Sequence, residues 1–346
     1  MNIDLLKELT EAHGVSGQED SIRDIVRREL NGLGECSTDR LGSFTCLKRG
    51  AGKKKLMIAA HMDEIGFVVK FIDDDGFLRV HPLGGWSPRQ MNSQRVVIGA
   101  KGGPIRGILT YESKPKHMMT EAEEREAQKI DKFFVDTGLS GKQAAKSIRL
   151  GDPVTMDRDF LRLGKHFTCK TMDDRLGVFV MIEALKAAKS NKVDVYAVAT
   201  VQEEIGLRGA AAAGSAIAPD IAVALDVTLA NDIPGISAPD RVTKLGDGTA
   251  IKFLDSSLIS HPKLFKHFVS IAEKHKIKHQ IEILPFGGTD SGAIQRLHGG
   301  IPSFTLSVPT RYVHTVNETV HEDDVQASID LLARYIEEAH EGDYSY

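Results

Sequence analysis

The chain has 346 residues, 41% of them hydrophobic and 27% charged, with a formal net charge of −4 from 44 basic and 48 acidic side chains. That length allows two domains, and that composition describes an ordinary globular protein rather than a disordered or fibrous one. A small negative charge argues against nucleic-acid or membrane-surface partners, since no basic excess is available to neutralise phosphates.

The apolar periodicity of Ile3, Leu5, Leu6 and Leu9, then of Ile22, Ile25, Val26 and Leu30, predicts two helices. Ser16, three residues before Glu19, reads as a capping box opening the second. Nothing in this amino-terminal stretch resembles a signal peptide, and no apolar run reaches the ~20 residues of a membrane span, so a cytoplasmic protein is expected. Strands are predicted at Ser43–Leu47 and Leu56–Ala60, the latter fully apolar and ending at His61-Met62-Asp63. From about residue 68 to 165 the texture becomes that of a small β domain. Short strands at 68–72, 77–80, 95–98 and 105–109 are separated by glycine-rich turns, and another opens at Gly151-Asp152-Pro153-Val154. The polar run 114–129 reads as an exposed loop or mobile helix without chemistry.

An α/β rhythm then returns. Helices are predicted over 176–188, from 210, and over 263–276, 291–297 and 325–341. They alternate with strands over 193–201, 221–225, 279–284 and 303–308. Alternating strands and helices predict an α/β fold with a mostly parallel sheet covered on both faces. The expected domains are an α/β domain from 1–66 plus 166–346 and an inserted β domain over 67–165. Three cysteines, Cys36, Cys46 and Cys169, give no disulfide framework and no metal knuckle.

Polar residues collect where the apolar strands end. His61 and Asp63 follow one strand, Glu203 and Glu204 a second, Asp226 a third, and His314 lies beyond a fourth. Asp173-Asp174-Arg175 precedes the helix beginning at Leu176. Taken singly, each has a plain reading: a solvated strand end, an Asx turn, a core histidine or a helix cap. In an open parallel sheet, however, these ends converge on one rim. Crowded carboxylates cost several kcal/mol to desolvate unless cations pair them. His with Asp and Glu, and no Cys, suits divalent metal, zinc or a cobalt- or manganese-like ion. Five ligands serve two ions if one carboxylate bridges. Of the Glu203–Glu204 pair, one acid then holds metal and the other carries the proton of the attacking water. No nucleophile elbow, P-loop or GxGxxG following a strand competes with this.

Six stretches in order resemble the M42 metallo-aminopeptidases: AAHMDEIGF at 59–67, KTMDDRLG at 170–177, VQEEIGLRGA at 201–210, ALDVT at 224–228, GGTDSGA at 287–293 and RYVHT at 311–315. The resemblance implies two divalent ions per subunit, zinc or cobalt. Asp173 would bridge, His61 and Asp226 would complete one ion, and Glu204 and His314 the other. It implies Glu203 as general base, and Asp63 as acceptor of the free N–H of His61. It also implies a PDZ-like inserted domain, short peptides as substrates, and a homo-oligomer built from dimers into a tetrahedral dodecamer. Asp174 and His321 are held second to Asp173 and His314, and Asp290 is a weak candidate for contact. Because some relatives of this kind carry a cellulase label, an endo-glycosidase using paired carboxylates is the alternative enzyme. A shell-forming scaffold without catalysis is the non-enzymatic alternative.

Overall fold

The computed structural model describes residues 1–346, which form two compact units: Met1–Glu64 with Asp159–Val313 and Asn317–Tyr346, and Ile65–Arg158 with His314–Val316. Strands β1 (Glu35–Thr38), β2 (Phe44–Lys48) and β3 (Lys55–His61) open the first unit. The second holds β4 (Gly66–Ile72), β5 (Leu78–Leu83), β6 (Gln94–Ala100), β7 (Gly103–Tyr111), β8 (Phe133–Asp136) and β9 (Pro153–Met156). The first unit then continues with β10 (Leu161–Leu163), β11 (His166–Cys169), β12 (Asp194–Thr200), β13 (Ile221–Leu229), β14 (Thr249–Leu254), β15 (His279–Ile283), β16 (Ser303–Arg311) and β17 (Glu318–His321).

In the first unit these strands make one sheet in the order β1-β2-β12-β3-β13-β16-β17-β11-β10, with β14 joined to β16 and β15 to β14. Its centre, β12-β3-β13-β16, is parallel. The strands flanking that centre pair antiparallel. The central strands are buried along nearly their whole length, as expected of strands covered on both faces. Along β3, Leu56, Ile58 and Ala60 join the larger core with the helices 3–11, 20–30, 172–187, 262–274 and 322–338. Met57 and Ala59 point the other way, into a smaller core with Ala210, Ala213 and Ile294. The period of two thus distributes one apolar run between two layers. No helix is long and apolar enough to cross a membrane.

The second unit is a closed six-stranded barrel, β4-β5-β8-β7-β6-β9, filled by Phe67, Val80, Val96, Ile98, Leu109, Phe133 and Val154. Within 114–129, Glu121–Arg125 forms one exposed helical turn with a capping box from Thr120.

Three local expectations fail. Ser16 and Glu19 make no capping box: Glu19 stands at the N-cap of the helix 20–30 with no capping hydrogen bond from its side chain. No strand is predicted between 308 and 325, yet Glu318–His321 pairs with β11 and β16 as a strand. The helix expected at 291–297 is one turn and a half, Asp290–Ile294.

Candidate metal centre

Strand β12 stops at Thr200, directly beside His61 at the end of β3. Gln202 then takes a left-handed backbone, φ +57, and Gly206 follows at φ +122. The chain therefore turns instead of continuing as a strand. Glu203 and Glu204 lie on that turn and are freed from the alternation that would have sent them to opposite faces. Asp226, expected at a strand end, sits inside β13, which runs on to Leu229. Its Oδ1 accepts the amide hydrogen of Val227 at 2.7 Å.

His61 is almost fully buried. Its Nε2 lies 3.0 Å from Asp173 Oδ1 and 3.9 Å from Glu203 Oε2. Its Nδ1 lies 3.0 Å from the backbone carbonyl of Asp63, against 3.5 Å to that residue's carboxylate. Of the two Asp63 acceptors, the backbone carbonyl is thus the nearer to this ring nitrogen. A carbonyl fixes the ring orientation as a carboxylate would. The Asp63 side chain has further partners. Oδ1 accepts the Glu203 amide at 3.0 Å, and Oδ2 accepts the Glu204 amide at 3.2 Å and the Ser16 hydroxyl at 2.6 Å.

Asp173 and Asp174 precede the regular part of the helix 172–187, and neither has helical backbone angles. The Asp173 amide donates to Glu318 Oε2 at 2.8 Å. Asp174 is fully buried and accepts the amides of His61 at 3.2 Å and Gly177 at 2.9 Å. It is thus a cap for the helix and a tie to β3.

Ligand atoms of His61, Asp173 and Asp226 lie within 4.8 Å of one another, and so do those of His61, Glu203 and Glu204. Burial first, then Asp173, push the Asp226 carboxyl well above the usual range, with His61 and Lys252 opposing. Burial likewise raises Glu203 well above the usual range, against His61 and helped by Asp226, Glu204 and Asp290. Burial works against a charged His61, but Glu203, Asp173 and Asp63 win and push it well above an ordinary imidazole. Acids that resist ionising together around one imidazole form a donor set short of positive charge. The set is oxygen and imidazole nitrogen with no thiol. Divalent cations of the zinc or cobalt kind fit it.

His314 is grouped with the second unit, where its Nδ1 lies 3.0 Å from the carbonyl of Gly85. It also has a left-handed backbone, φ +60. His321 serves the fold instead, since its ring accepts the amide hydrogen of Asp323 and caps the last helix. Asp290 is buried, accepts the Thr200 hydroxyl at 2.6 Å, and is raised to about 6 by burial against that hydrogen bond. Its Oδ1 makes no hydrogen bond.

The profile of the M42 glutamyl aminopeptidase family matches residues 42–331, and a second, termed AMPT, matches residues 2–25. The chain belongs to the M42 family. It is 36% identical over 353 residues to the lysyl aminopeptidase of Pyrococcus furiosus, covering 99% of each chain. Its fold superposes with a TM-score of 0.93 on an aminopeptidase from the archaeon Desulfurococcus kamchatkensis, at 40% identity over 97% of this chain and 94% of that one. The Pyrococcus horikoshii TET1 peptidase, described as assembling into a tetrahedron or a large octahedral shell, superposes at 0.88 with 31% identity over 97% and 99%.

Several residues outside the candidate ligand set hold this site in place. Glu19 Oε1 accepts the amides of Gly17 at 2.7 Å and Gln202 at 3.2 Å. Burial raises that carboxyl to about 6 against those amides. The fully buried Arg175 donates to the carbonyls of Met62, Leu9 at 2.9 Å, Ala12 at 3.2 Å and Gly14 at 3.0 Å. It therefore supports the His61–Asp63 segment from behind rather than balancing the acids in front. Lys170 and Glu64 form a buried ion pair at 2.5 Å, and Glu64 also accepts the Gly14 amide at 2.9 Å.

Proposed function

We propose that the chain is a metal-dependent aminopeptidase that removes N-terminal residues from short peptides. Asp173, His61, Asp226, Glu204 and His314 would hold two divalent cations, zinc or cobalt, with Asp173 common to both ligand sets, His61 and Asp226 in one and Glu204 and His314 in the other. Glu203 is the general base. The observation that carries this reading is the convergence of His61, Asp173 and Asp226 in one buried cradle, with Glu203 3.9 Å from the same imidazole nitrogen. Cations held there supply a water of lowered pKa and a Lewis acid for a carbonyl oxygen.

The chain's own groups do the rest. The Glu203 carboxylate takes a proton from the attacking water and returns it to the nitrogen of the leaving amine. Asp63 and Glu19 hold the turn that aims it. Burial keeps bulk water from competing for that proton. Self-association into a closed shell, of the kind described for the Pyrococcus horikoshii relative, is part of the proposal.

The test is a pair of variants. Glu203→Gln lowers kcat on an aminoacyl anilide by about 10²–10⁴-fold while keeping bound metal. Glu204→Gln lowers the metal content itself. A fully active Glu203→Gln enzyme removes Glu203 from the role of base. Cellulase-type activity that survives EDTA would favour the carboxylate-pair glycosidase instead.

A further inference from the structure

None of the three cysteines is in a disulfide, and two of them are neighbours. Cys36 on β1 and Cys46 on β2 stand directly opposite each other in an antiparallel register. Cys36 is exposed and Cys46 is buried. Both sulfurs approach the carbonyl oxygen of Leu30, at 4.0 and 3.9 Å.

Directly opposed residues of an antiparallel pair have Cα atoms about 4.5 or 5.5 Å apart. A disulfide needs roughly 4.4–6.8 Å. Their Cβ atoms, about 4.5–5.5 Å apart, need only draw closer by the order of an ångström. Strand β1 can supply that movement. It has four residues, all exposed, and it pairs only with β2 at the edge of the sheet.

We propose that Cys36 and Cys46 form a redox pair that closes to a reversible cross-strand disulfide on reaction with low-molecular-weight disulfides. The Cys36 thiolate attacks one sulfur of the small disulfide. A mixed disulfide forms on Cys36 and one small thiol leaves. The Cys46 sulfur, losing its proton to solvent, then attacks Cys36 Sγ and expels the second small thiol. Two protein thiols give up two electrons and two protons, and the small disulfide is reduced to two thiols. Burial, and then the neighbouring Cys36, push the Cys46 thiol up to about 12, so the second attack is the slow step. Cys169, buried beneath the amino-terminal helix with its thiol on the carbonyl of Thr10 at 3.4 Å, takes no part.

The experiment incubates the reduced full-length protein with glutathione disulfide and reads intact mass and denatured thiol titre. The expected result is a titre falling from three thiols to one, a mass lower by two hydrogens, and recovery with dithiothreitol. Cys36→Ser, an exposed substitution, should show neither change. Cys46→Ala should stop as a glutathione adduct on Cys36. A wild-type protein that stops at that adduct, fails to react, or links two chains through Cys36 would overturn the proposal.

Discussion

Asp63 governs Glu203 through its backbone: the carboxylate oxygen Oδ1 accepts the Glu203 amide hydrogen at 3.0 Å. The same carboxylate holds Glu204 and Ser16, and although burial opposes its ionisation, His61, Ser16 and the Glu203 amide keep it below the usual range. Asp63→Asn replaces one acceptor with a donor facing an amide or a hydroxyl. The expected effect is a kcat lower by about 10–100-fold, the usual scale for a group supporting a metal site from behind. Steady-state kinetics beside metal analysis checks this. A variant with wild-type kcat would show that the turn holds itself.

Gly177 is required by Asp174. A Cβ at residue 177 would sit 2.3 and 2.4 Å from the two carboxylate oxygens that cap the helix and tie β3. Gly177→Ala should cost about 1–3 kcal/mol, as overpacking in a dense core does. Chemical denaturation measures the loss. An unchanged midpoint would mean that Asp174 has room to move aside.

Removing cations should destabilise the fold as well as stop catalysis. The buried acids at 173, 203 and 226 repel one another when nothing pairs them. At a metal concentration 100–1,000 times Kd, binding contributes about 3–4 kcal/mol. EDTA should therefore lower Tm, and zinc or cobalt should restore it. A melting curve indifferent to chelator would contradict the proposed ligand set.

The last helix predicts a pH effect away from the site. Asp324 accepts the amides of Gly246 and Gly248, each at 2.7 Å, yet burial raises its carboxyl to about 6 against them. A raised carboxylate binds its proton more tightly in the folded chain. This residue's contribution to stability is thus greatest below about pH 4 and falls as pH rises to about 6. Asp324→Asn should gain on the wild type by about 1–2 kcal/mol between pH 4 and 7. Urea midpoints for both proteins at those two pH values decide it, and a constant gap would refute it.

The legible parts of this protein are those where one stretch of chain states its own environment. Strands β3, β12, β13 and β16 are unbroken apolar runs because both their faces are covered. A charged residue at the end of such a run is conspicuous, which is how His61, Asp63, Glu203 and Glu204 could be found. The edge strands are different. Leu161–Leu163 and Glu318–His321 are three and four residues long, too short to show a period. The stop at Thr200 was hidden because apolar Val201 extends the pattern while the backbone turns only at Gln202. Ser16, Glu19 and Glu318 were invisible as site residues because their partners lie 47, 183 and 145 positions away. Contacts of that range follow from the finished fold and leave no trace in local spacing.

The guanidinium of Arg175 ties the first fourteen residues to the back of the candidate site. Three of the four carbonyls it grips come from Leu9, Ala12 and Gly14. Proteolytic trimming past that point would strand a buried cation directly behind His61 and Asp63. The enzyme should thus lose activity on amino-terminal clipping well before it loses its sheet.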